Sequence, residues 1–217
     1  MKSSILIAVT LLASLTAGAQ SMRTGGSSSE GRNIEVGVTY LPSHMSIDGN
    51  GRWLQGAGAE LSADVFHGIG IAANFTGGHK SETFFNGTIN GNIGAMSEGL
   101  SYETFTFGPR YTFRQKRSAL YGEALFGMAH ANGSVDVTVQ GVGSANIMSG
   151  SANSFALQIG GGYDFSLTRR IALRLPQVHY LRTSLDEGVF DSNQHGTPGI
   201  TVNAVQLGAG VVFRFNR

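Results

Sequence analysis

The segment from Thr104 to Arg114, TFTFGPRYTFR, alternates so regularly that it constrains the fold of this chain more than any other feature. One parity carries threonines, a glycine and two arginines, Arg110 and Arg114. The other parity is aromatic apart from one proline, and its members are Phe105, Phe107, Pro109, Tyr111 and Phe113. Because a β-strand sends successive side chains to opposite faces, the segment predicts a strand with one aromatic face and one small, polar and cationic face.

Seven other segments show the same two-residue period, and no stretch of useful length shows a helical period. With the first segment, they cover about residues 33–41, 52–65, 68–76, 104–114, 119–131, 154–165, 171–182 and 202–215. The seventh changes parity at Pro176, since Leu173 and Leu175 are apolar before it and Val178 and Tyr180 after it. One extra residue at a bulge exchanges the two faces of a strand, and proline donates no ladder hydrogen bond. We therefore predict a β-bulge at or near Pro176.

The links between these segments alternate in length. Short links cover residues 66–67, 115–118 and 166–170, and long links cover residues 42–51, 77–101, 132–153 and 183–201. An even strand number, alternating link lengths and alternation along each strand are typical of outer-membrane barrels. We therefore predict an all-β fold, an eight-stranded antiparallel up-and-down transmembrane β-barrel over residues 33–217, with both termini and the short turns in the periplasm.

The polar parity indicates which face of the barrel meets lipid. It is dominated by Gly, Ala, Thr, Ser and Gln, and charged residues make up only 13% of the chain. Small side chains suit a narrow bore, whereas a water-facing strand surface carries more charge. We therefore predict that the aromatic rows face lipid, the alternative being a soluble barrel with an apolar core. The predicted interfacial girdles consist of Tyr40, Trp53, Phe66, Tyr102, Tyr111, Phe113, Tyr163, Phe165, Tyr180, Phe213 and Phe215.

Charged residues on the polar parity are predicted to form a cluster inside the bore. Its predicted members are Glu60, Asp64, Arg110, Glu123, Asp164, Arg174 and Arg214. Unpaired buried charges are costly, so these groups should pair across the lumen, with Glu123 a candidate partner of Arg110. Arg114 is expected in the lumen or at its periplasmic rim. Such a cluster plugs and rigidifies the barrel; the alternative is that the same charges line a conducting pore.

The N-terminal segment has the layout of a secretory signal peptide. Lys2 precedes a short apolar run, and Ala17-Gly18-Ala19 forms a cleavage site, so residues 1–19 are assigned to a cleaved signal peptide. The apolar run is too short for a transmembrane anchor. Residues 20–32, rich in Gly and Ser, are predicted to be a flexible leader. The near-neutral chain offers no broad basic field, which argues against nucleic acid as a partner.

Five segments resemble the OmpA-like, eight-stranded outer-membrane β-barrel proteins: FTFGPRYTF, LYGEALFGMAHA, FALQIGGGYDF, RRIALRLPQVHYL and LGAGVVFRF. The resemblance covers the fourth to eighth strands and identifies the barrel more than any activity. It implies recognition by the barrel-assembly machinery, which in such families reads an aromatic residue at the end of the last strand. Here the last aromatic residue, Phe215, is followed by Asn216 and Arg217. We expect no second, peptidoglycan-binding domain.

The histidines raise the question of metal binding or catalysis, and they are His44, His67, His79, His130, His179 and His195. None of them is paired at ligand spacing, so we predict no metal site, no cofactor and no catalytic residue. His179 with Ser184 or Glu187 leaves open a nucleophile–base pair and hence a lipid-A-modifying enzyme. We predict instead that His179 faces the lumen as a structural hydrogen-bonding residue.

These observations together predict a monomeric, non-enzymatic integral protein of the bacterial outer membrane. Its predicted role is structural or surface-interactive, with a charge-plugged lumen and long extracellular loops. Its predicted partners are outer-membrane lipids and an extracellular ligand bound through residues 77–101 and 132–153. The alternative is a small porin that passes ions or small solutes.

Overall fold

A computed structural model describes residues 33–47, 50–89, 92–185 and 200–216. The predicted signal peptide (1–19) and leader (20–32) lie outside these residues. Strands account for nearly all of the described chain: β1 (Asn33–Tyr40), β2 (Ser43–Ile47), β3 (Asn50–Phe66), β4 (Ile69–Ile89), β5 (Asn92–Arg114), β6 (Ser118–Val139), β7 (Gly143–Ser166), β8 (Ile171–Leu185) and β9 (Ile200–Asn216). No helix in this part of the chain is long and apolar enough to cross a membrane.

The nine strands form one antiparallel sheet that closes on itself. Strands β1 and β2 both pair with β3 on one side and with β9 on the other. They are therefore two halves of a single barrel strand, interrupted at Leu41 and Pro42, where proline offers no N–H to the ladder. Leu41 still donates to the Gly56 carbonyl (2.8 Å), and the Pro42 carbonyl accepts from Leu207 (3.0 Å). The prediction of an eight-stranded, up-and-down antiparallel barrel is confirmed.

The short turns, the start of β1 and the end of β9 lie at one end of the barrel, which we call the turn end. The register there pairs Asn33 with Asn216, and the turns are at 67–68, 115–117 and 167–170. Gly68 has a φ of +82°, and a Cβ on it would lie 2.4 Å from the Thr112 carbonyl oxygen. This turn therefore requires glycine.

Three of the four predicted long loops are instead largely strand. β4 and β5 stay paired as far as Ile89 and Asn92, β6 and β7 as far as Val139 and Gly143, and β2 and β3 as far as Ile47 and Asn50. The loop prediction was wrong because these segments are rich in Gly, Ser, Asn and Thr, residues that favour turns, although the hydrogen-bonded ladder continues through them. In the fourth link, residues 186–199 lie outside the described part.

The predicted bulge at Pro176 is confirmed. Against β9, Arg174 pairs with Gly210 and Gln177 with Gly208, so two residues of β8 oppose one of its partner. The same one-residue shift occurs against β7, where Leu175 and Pro176 oppose Tyr163. As a result Gln177 and His179 point into the bore. Without the bulge they would face outward like Leu173 and Leu175, because they lie an even number of positions from those residues.

The outward face carries a band of exposed apolar side chains that ends at a common level on every long strand. On β5 the exposed row runs from Phe113 up to Phe105, and the next outward residue is Glu103. The corresponding outward positions of the other strands are also polar; we call this ring the polar collar, and it includes Gln55, His79, Glu103, His130, Asn153 and Arg182. One predicted girdle residue is misplaced: Tyr102 is buried inside the bore, since it shares the parity of Thr104.

Candidate functional site

The bore near the turn end contains an ion network of nine residues. The seven charged residues singled out in the sequence all point into the lumen, and Glu60, Arg110, Glu123, Asp164 and Arg174 are buried. Asp64 and Arg214 lie closer to the mouth, with side-chain exposures of 17% and 11%. The remaining two members are Glu35 and Arg114.

Arg174 of β8 connects three strands at the centre of this network. Its Nε and Nη2 lie 2.7 and 3.0 Å from the two carboxylate oxygens of Asp164, which is a bidentate pair. Its Nη1 donates to Glu60 Oε1 at 2.8 Å from the other side of the bore. The side chain is completely inaccessible to solvent. Two parallel hydrogen bonds to one carboxylate fix the guanidinium plane, so Arg174 acts as a rigid crosslink.

Arg110 of β5 reaches past its neighbouring strand. It lies beside Glu123 in the register, but its Nη1 is 3.6 Å from Glu123 Oε2. Its hydrogen-bond partner is Glu60, two strands away. The Tyr121 ring lies between the two guanidinium groups, 3.7 Å from Arg110 Cζ and 4.3 Å from Arg174 Cζ. Both cations thus gain a π face as well as carboxylate partners.

Glu35 is a member that the sequence analysis did not select. Its Oε1 lies 2.9 Å from Arg114 Nη2 and 3.0 Å from Arg214 Nε, and its side chain is buried. Arg114 also pairs with Asp64. The alternation of the first strand indicates this position, because Glu35 lies on the inward parity between the outward residues Ile34 and Val36.

A layer of uncharged polar groups lies above the ion network. Gln158 accepts from Thr106 Oγ1 (2.8 Å), and its Nε2 lies 2.8 Å from His179 Nδ1. Gln206 receives a hydrogen bond from Gln158 (3.3 Å) and donates to the Tyr102 hydroxyl (3.1 Å). His179 therefore lies inside the lumen as a hydrogen-bonded residue, and its Nε2 is 2.9 Å from Glu123 Oε1.

The third layer is apolar and lies toward the long hairpins. Its large members are buried inside the bore, and they are Met45, Leu54, Leu100, Leu181 and Val202. Inward alanines fill the space between them, among them Ala129, Ala156 and Ala204. The lumen is thus bridged at three levels by ionic, polar and apolar contacts. Eight strands enclose an interior that side chains are able to fill, and here they do so.

Beyond the polar collar, β4, β5, β6 and β7 continue as a four-stranded sheet, which we call the hairpin sheet (80–89, 92–101, 132–139 and 143–153). Within the part of the chain that the structure describes, its outer strands are paired on one side only, since β3–β4 pairing stops at Gln55 and His79 and β7–β8 pairing at Ala156 and Thr183.

Two local features mark the surface of the hairpin sheet. A hydrogen bond from Lys80 Nζ, 2.8 Å from Glu82 Oε2, lowers the pKa of the Glu82 carboxyl below its ordinary value. A groove of about 470 Å³ beside the sheet is lined by uncharged groups, including Ser101, Ser134, Ser149 and Asn132, together with His79.

The described residues bring no catalytic or metal-binding constellation together. No group of three His, Cys, Asp or Glu residues among them is arranged to hold a metal ion. His130 Nδ1 lies 2.6 Å from Asn153 Oδ1, a pair on the polar collar. The Ser184 side chain and Glu187, the suggested partners of His179, lie outside the part that the structure describes.

Comparison with known proteins agrees with this geometry. The family model of the outer membrane protein beta-barrel domain matches residues 7–215. One similar solved structure is that of Ail, the attachment invasion locus protein of Yersinia pestis, in complex with the heparin analogue sucrose octasulfate. Ail is 19% identical to this chain, the TM-score is 0.52, and the match covers 86% of this chain and 99% of Ail. Neisserial surface protein A is 11% identical with a TM-score of 0.46, over 85% and 97% of the two chains.

The outer membrane protease OmpT from Escherichia coli is 10% identical with a TM-score of 0.48, over 90% of this chain and all of OmpT. No curated protein matches the chain. At these identities the likeness to solved structures extends to the fold alone. The family match, the closed antiparallel barrel and the outward apolar band lead to one conclusion: the chain belongs to the outer membrane protein beta-barrel family and is a β-barrel of the bacterial outer membrane.

Proposed function

We propose that this protein is a non-conducting surface barrel that binds an extended segment of an extracellular partner along the free edge of β7. The observation that carries the proposal is the unequal length of two ladders. Pairing of β6 with β7 continues to Val139 and Gly143, whereas pairing of β7 with β8 stops at Ala156 and Thr183. Among the described residues, 143–153 therefore have no strand partner on this side, where they present backbone N–H and C=O groups. Strand addition to such an edge is a common mode of peptide recognition.

The composition of this edge supports the proposal. The segment from Gly143 to Asn153, GSANIMSGSAN, contains no charge and no proline, which are the devices that normally protect an edge strand. Ile147 and Met148 are more than half exposed on it. By contrast, the opposite edge on β4 carries the Lys80–Glu82 ion pair. The β7 edge is therefore the less protected of the two.

The filled lumen supports a binding role over the porin alternative. A porin needs a continuous aqueous path, whereas here Arg174–Glu60, Gln206–Tyr102 and the apolar layer join opposite walls of the bore at successive levels. The role left to the molecule is on its surface, where the hairpin sheet presents its edge above the polar collar.

The test is selection of displayed peptides on the full chain in nanodiscs, followed by affinity measurement on proline variants. The backbone N–H groups of successive residues in a strand point to opposite edges. One of the two variants Ser149→Pro and Gly150→Pro therefore removes a donor at the free edge, and the other removes a donor of the β6–β7 ladder. We expect selected peptides to be extended and to lose at least about tenfold in affinity in the free-edge variant, the equivalent of one or two hydrogen bonds.

Hydrogen exchange identifies which of the two variants keeps the β6–β7 ladder. A matched control is a proline on the β4 edge, Thr83→Pro, which should leave peptide affinity unchanged. The proposal would be contradicted if peptides bound the free-edge variant as tightly as the wild-type protein. It would also be contradicted if only Thr83→Pro, on the β4 edge, weakened binding.

A further inference from the structure

The turn end of the barrel concentrates cations in one sector of its rim. The β5–β6 turn carries Lys116 and Arg117, and the β7–β8 turn carries Arg169 and Arg170. The two turns are joined by a backbone hydrogen bond of 2.8 Å from Ser166 N to the Arg117 carbonyl. The third turn, at residues 67–68, carries no Lys or Arg.

These four cations differ from the arginines inside the bore, because no ion pair within the described residues involves them. All four are exposed. Glu35, the carboxylate that shares a cavity with three of them, is already bonded to Arg114 and Arg214. Four exposed positive charges therefore have no counter-charge among the described residues, on a chain whose formal net charge is only +1.

Three of these cations, Lys116, Arg117 and Arg169, line a cavity of about 610 Å³ at the mouth of the bore, and Arg170 follows Arg169 in the same turn. Phe165 and Leu167 also line the cavity, as do Glu35, Arg114 and Arg214 of the ion network. Phe165 belongs to the lowest level of the outward apolar band, and Leu167 is 60% exposed in the turn itself. Cationic groups beside an exposed apolar surface, at the level where a membrane changes from hydrocarbon to headgroups, match an amphiphile with an anionic head.

We propose that this rim is a binding site for an anionic phospholipid of the periplasmic leaflet. Its phosphate would be held by Lys116, Arg117, Arg169 and Arg170, and its acyl chains would lie along Phe165 and Leu167. The charge distribution favours this leaflet, because the exposed carboxylates Glu82 and Glu103 lie toward the other end of the barrel. The site would fix the depth and orientation of the barrel in the membrane.

The test uses fluorescence quenching by brominated lipids at one defined position. The chain has a single tryptophan, Trp53, at the hairpin end, so Trp53→Phe with Leu167→Trp places the only reporter at the rim. Vesicles contain phosphatidylcholine with brominated phosphatidylglycerol or brominated phosphatidylcholine. We expect Leu167→Trp to be quenched preferentially by phosphatidylglycerol, with the relative association constant falling about fivefold for each cation replaced by Gln. It should also fall with salt.

Three controls make the outcome decisive. Replacing the hairpin-end cations, as Arg52→Gln, Lys80→Gln and Arg182→Gln, should leave the preference at Leu167→Trp intact, and native Trp53 should show none. Arg117→Lys with Arg169→Lys and Arg170→Lys keeps the charge and should keep the preference. Equal quenching by both lipids, or a preference that survives loss of all four rim cations, overturns the proposal.

Competition identifies the source of the anion. If inorganic phosphate abolishes the preference while chloride at the same ionic strength does not, the rim binds a free anion and the lipid proposal is overturned. If soluble peptidoglycan fragments abolish it, the rim contacts the cell wall instead. Persistence of the preference in both competitions supports an anionic phospholipid.

Discussion

Replacing Arg174 with Gln should lower the free energy of unfolding by about 3–5 kcal/mol, because removing one partner of a buried ion pair leaves an uncompensated charge. Here the loss leaves Asp164 without its bidentate partner and takes one of two arginines from Glu60. The measurement is reversible denaturant unfolding of the barrel in lipid vesicles, followed by far-UV circular dichroism. Arg182→Gln on the same strand is the matched control, because its side chain is exposed on the polar collar.

The pairing itself is tested by a double-mutant cycle. Arg174→Gln combined with Asp164→Asn should recover part of the loss, since neither charge is then stranded, and the two effects should differ from additivity by about 0.5–3 kcal/mol. In the same kind of cycle, Arg110→Gln should couple more strongly to Glu60→Gln than to Glu123→Gln. The reason is that Arg110 hydrogen-bonds to Glu60, whereas its Nη1 lies 3.6 Å from Glu123 Oε2. A loss below about 1 kcal/mol for Arg174→Gln would mean that water screens the pair and that the bore is hydrated.

Phe107→Arg should cost about 2–4 kcal/mol, the penalty for a cation on the lipid face near the bilayer midplane. Phe107 lies in the middle of the outward row of β5, half exposed, with its ring 4.9 Å from that of Phe126. The measurement is again reversible unfolding in vesicles.

The control for Phe107→Arg is a substitution at a different position along the barrel axis. Glu103→Arg lies on the same strand and the same outward row, but on the polar collar, so its cost should be below about 1 kcal/mol. If both substitutions cost the same, the outward band does not face hydrocarbon. If Phe107→Arg is tolerated while the inward Thr106→Arg is not, the apolar face is not the lipid face.

The alternation of side chains predicted the barrel because it is a purely local property of strands. The row from Phe105 to Phe113 follows from a two-residue period, and the bulge at Pro176 follows from one break in that period. The parity rule also placed Arg110, Asp164 and Arg174 in the lumen, since it assigns a face to each residue without any knowledge of neighbours.

The contacts inside the lumen could not be predicted in the same way. A strand in a barrel is tilted, so a long side chain meets residues of non-adjacent strands. Arg110 therefore hydrogen-bonds to Glu60 on β3, although Glu123 is its register partner. The apolar layer was missed because Leu54 and Leu181 occupy the parity that elsewhere is polar. Alternation separates two faces, but it does not state that the inner face is polar throughout.

The hairpin sheet was missed for a different reason. Above the polar collar the hydrophobic period of β4–β7 is short and interrupted: in Asn132–Val139 only Val135, Val137 and Val139 alternate with polar residues. Gly, Ser and Asn then suggest loops, although the backbone ladder persists. The free edge of β7, on which the proposed binding depends, becomes visible only from the pairing itself.

Single-channel recording tests the central claim, a barrel whose lumen is filled and whose function lies at its surface. The full chain is refolded, checked for native circular dichroism and inserted into planar bilayers in concentrated potassium chloride, with a channel-forming porin as the positive control. The ion network, the polar layer and the apolar layer predict no steady conductance above the bare membrane. Discrete, voltage-stable current steps from the wild-type protein would contradict the account and favour a small pore.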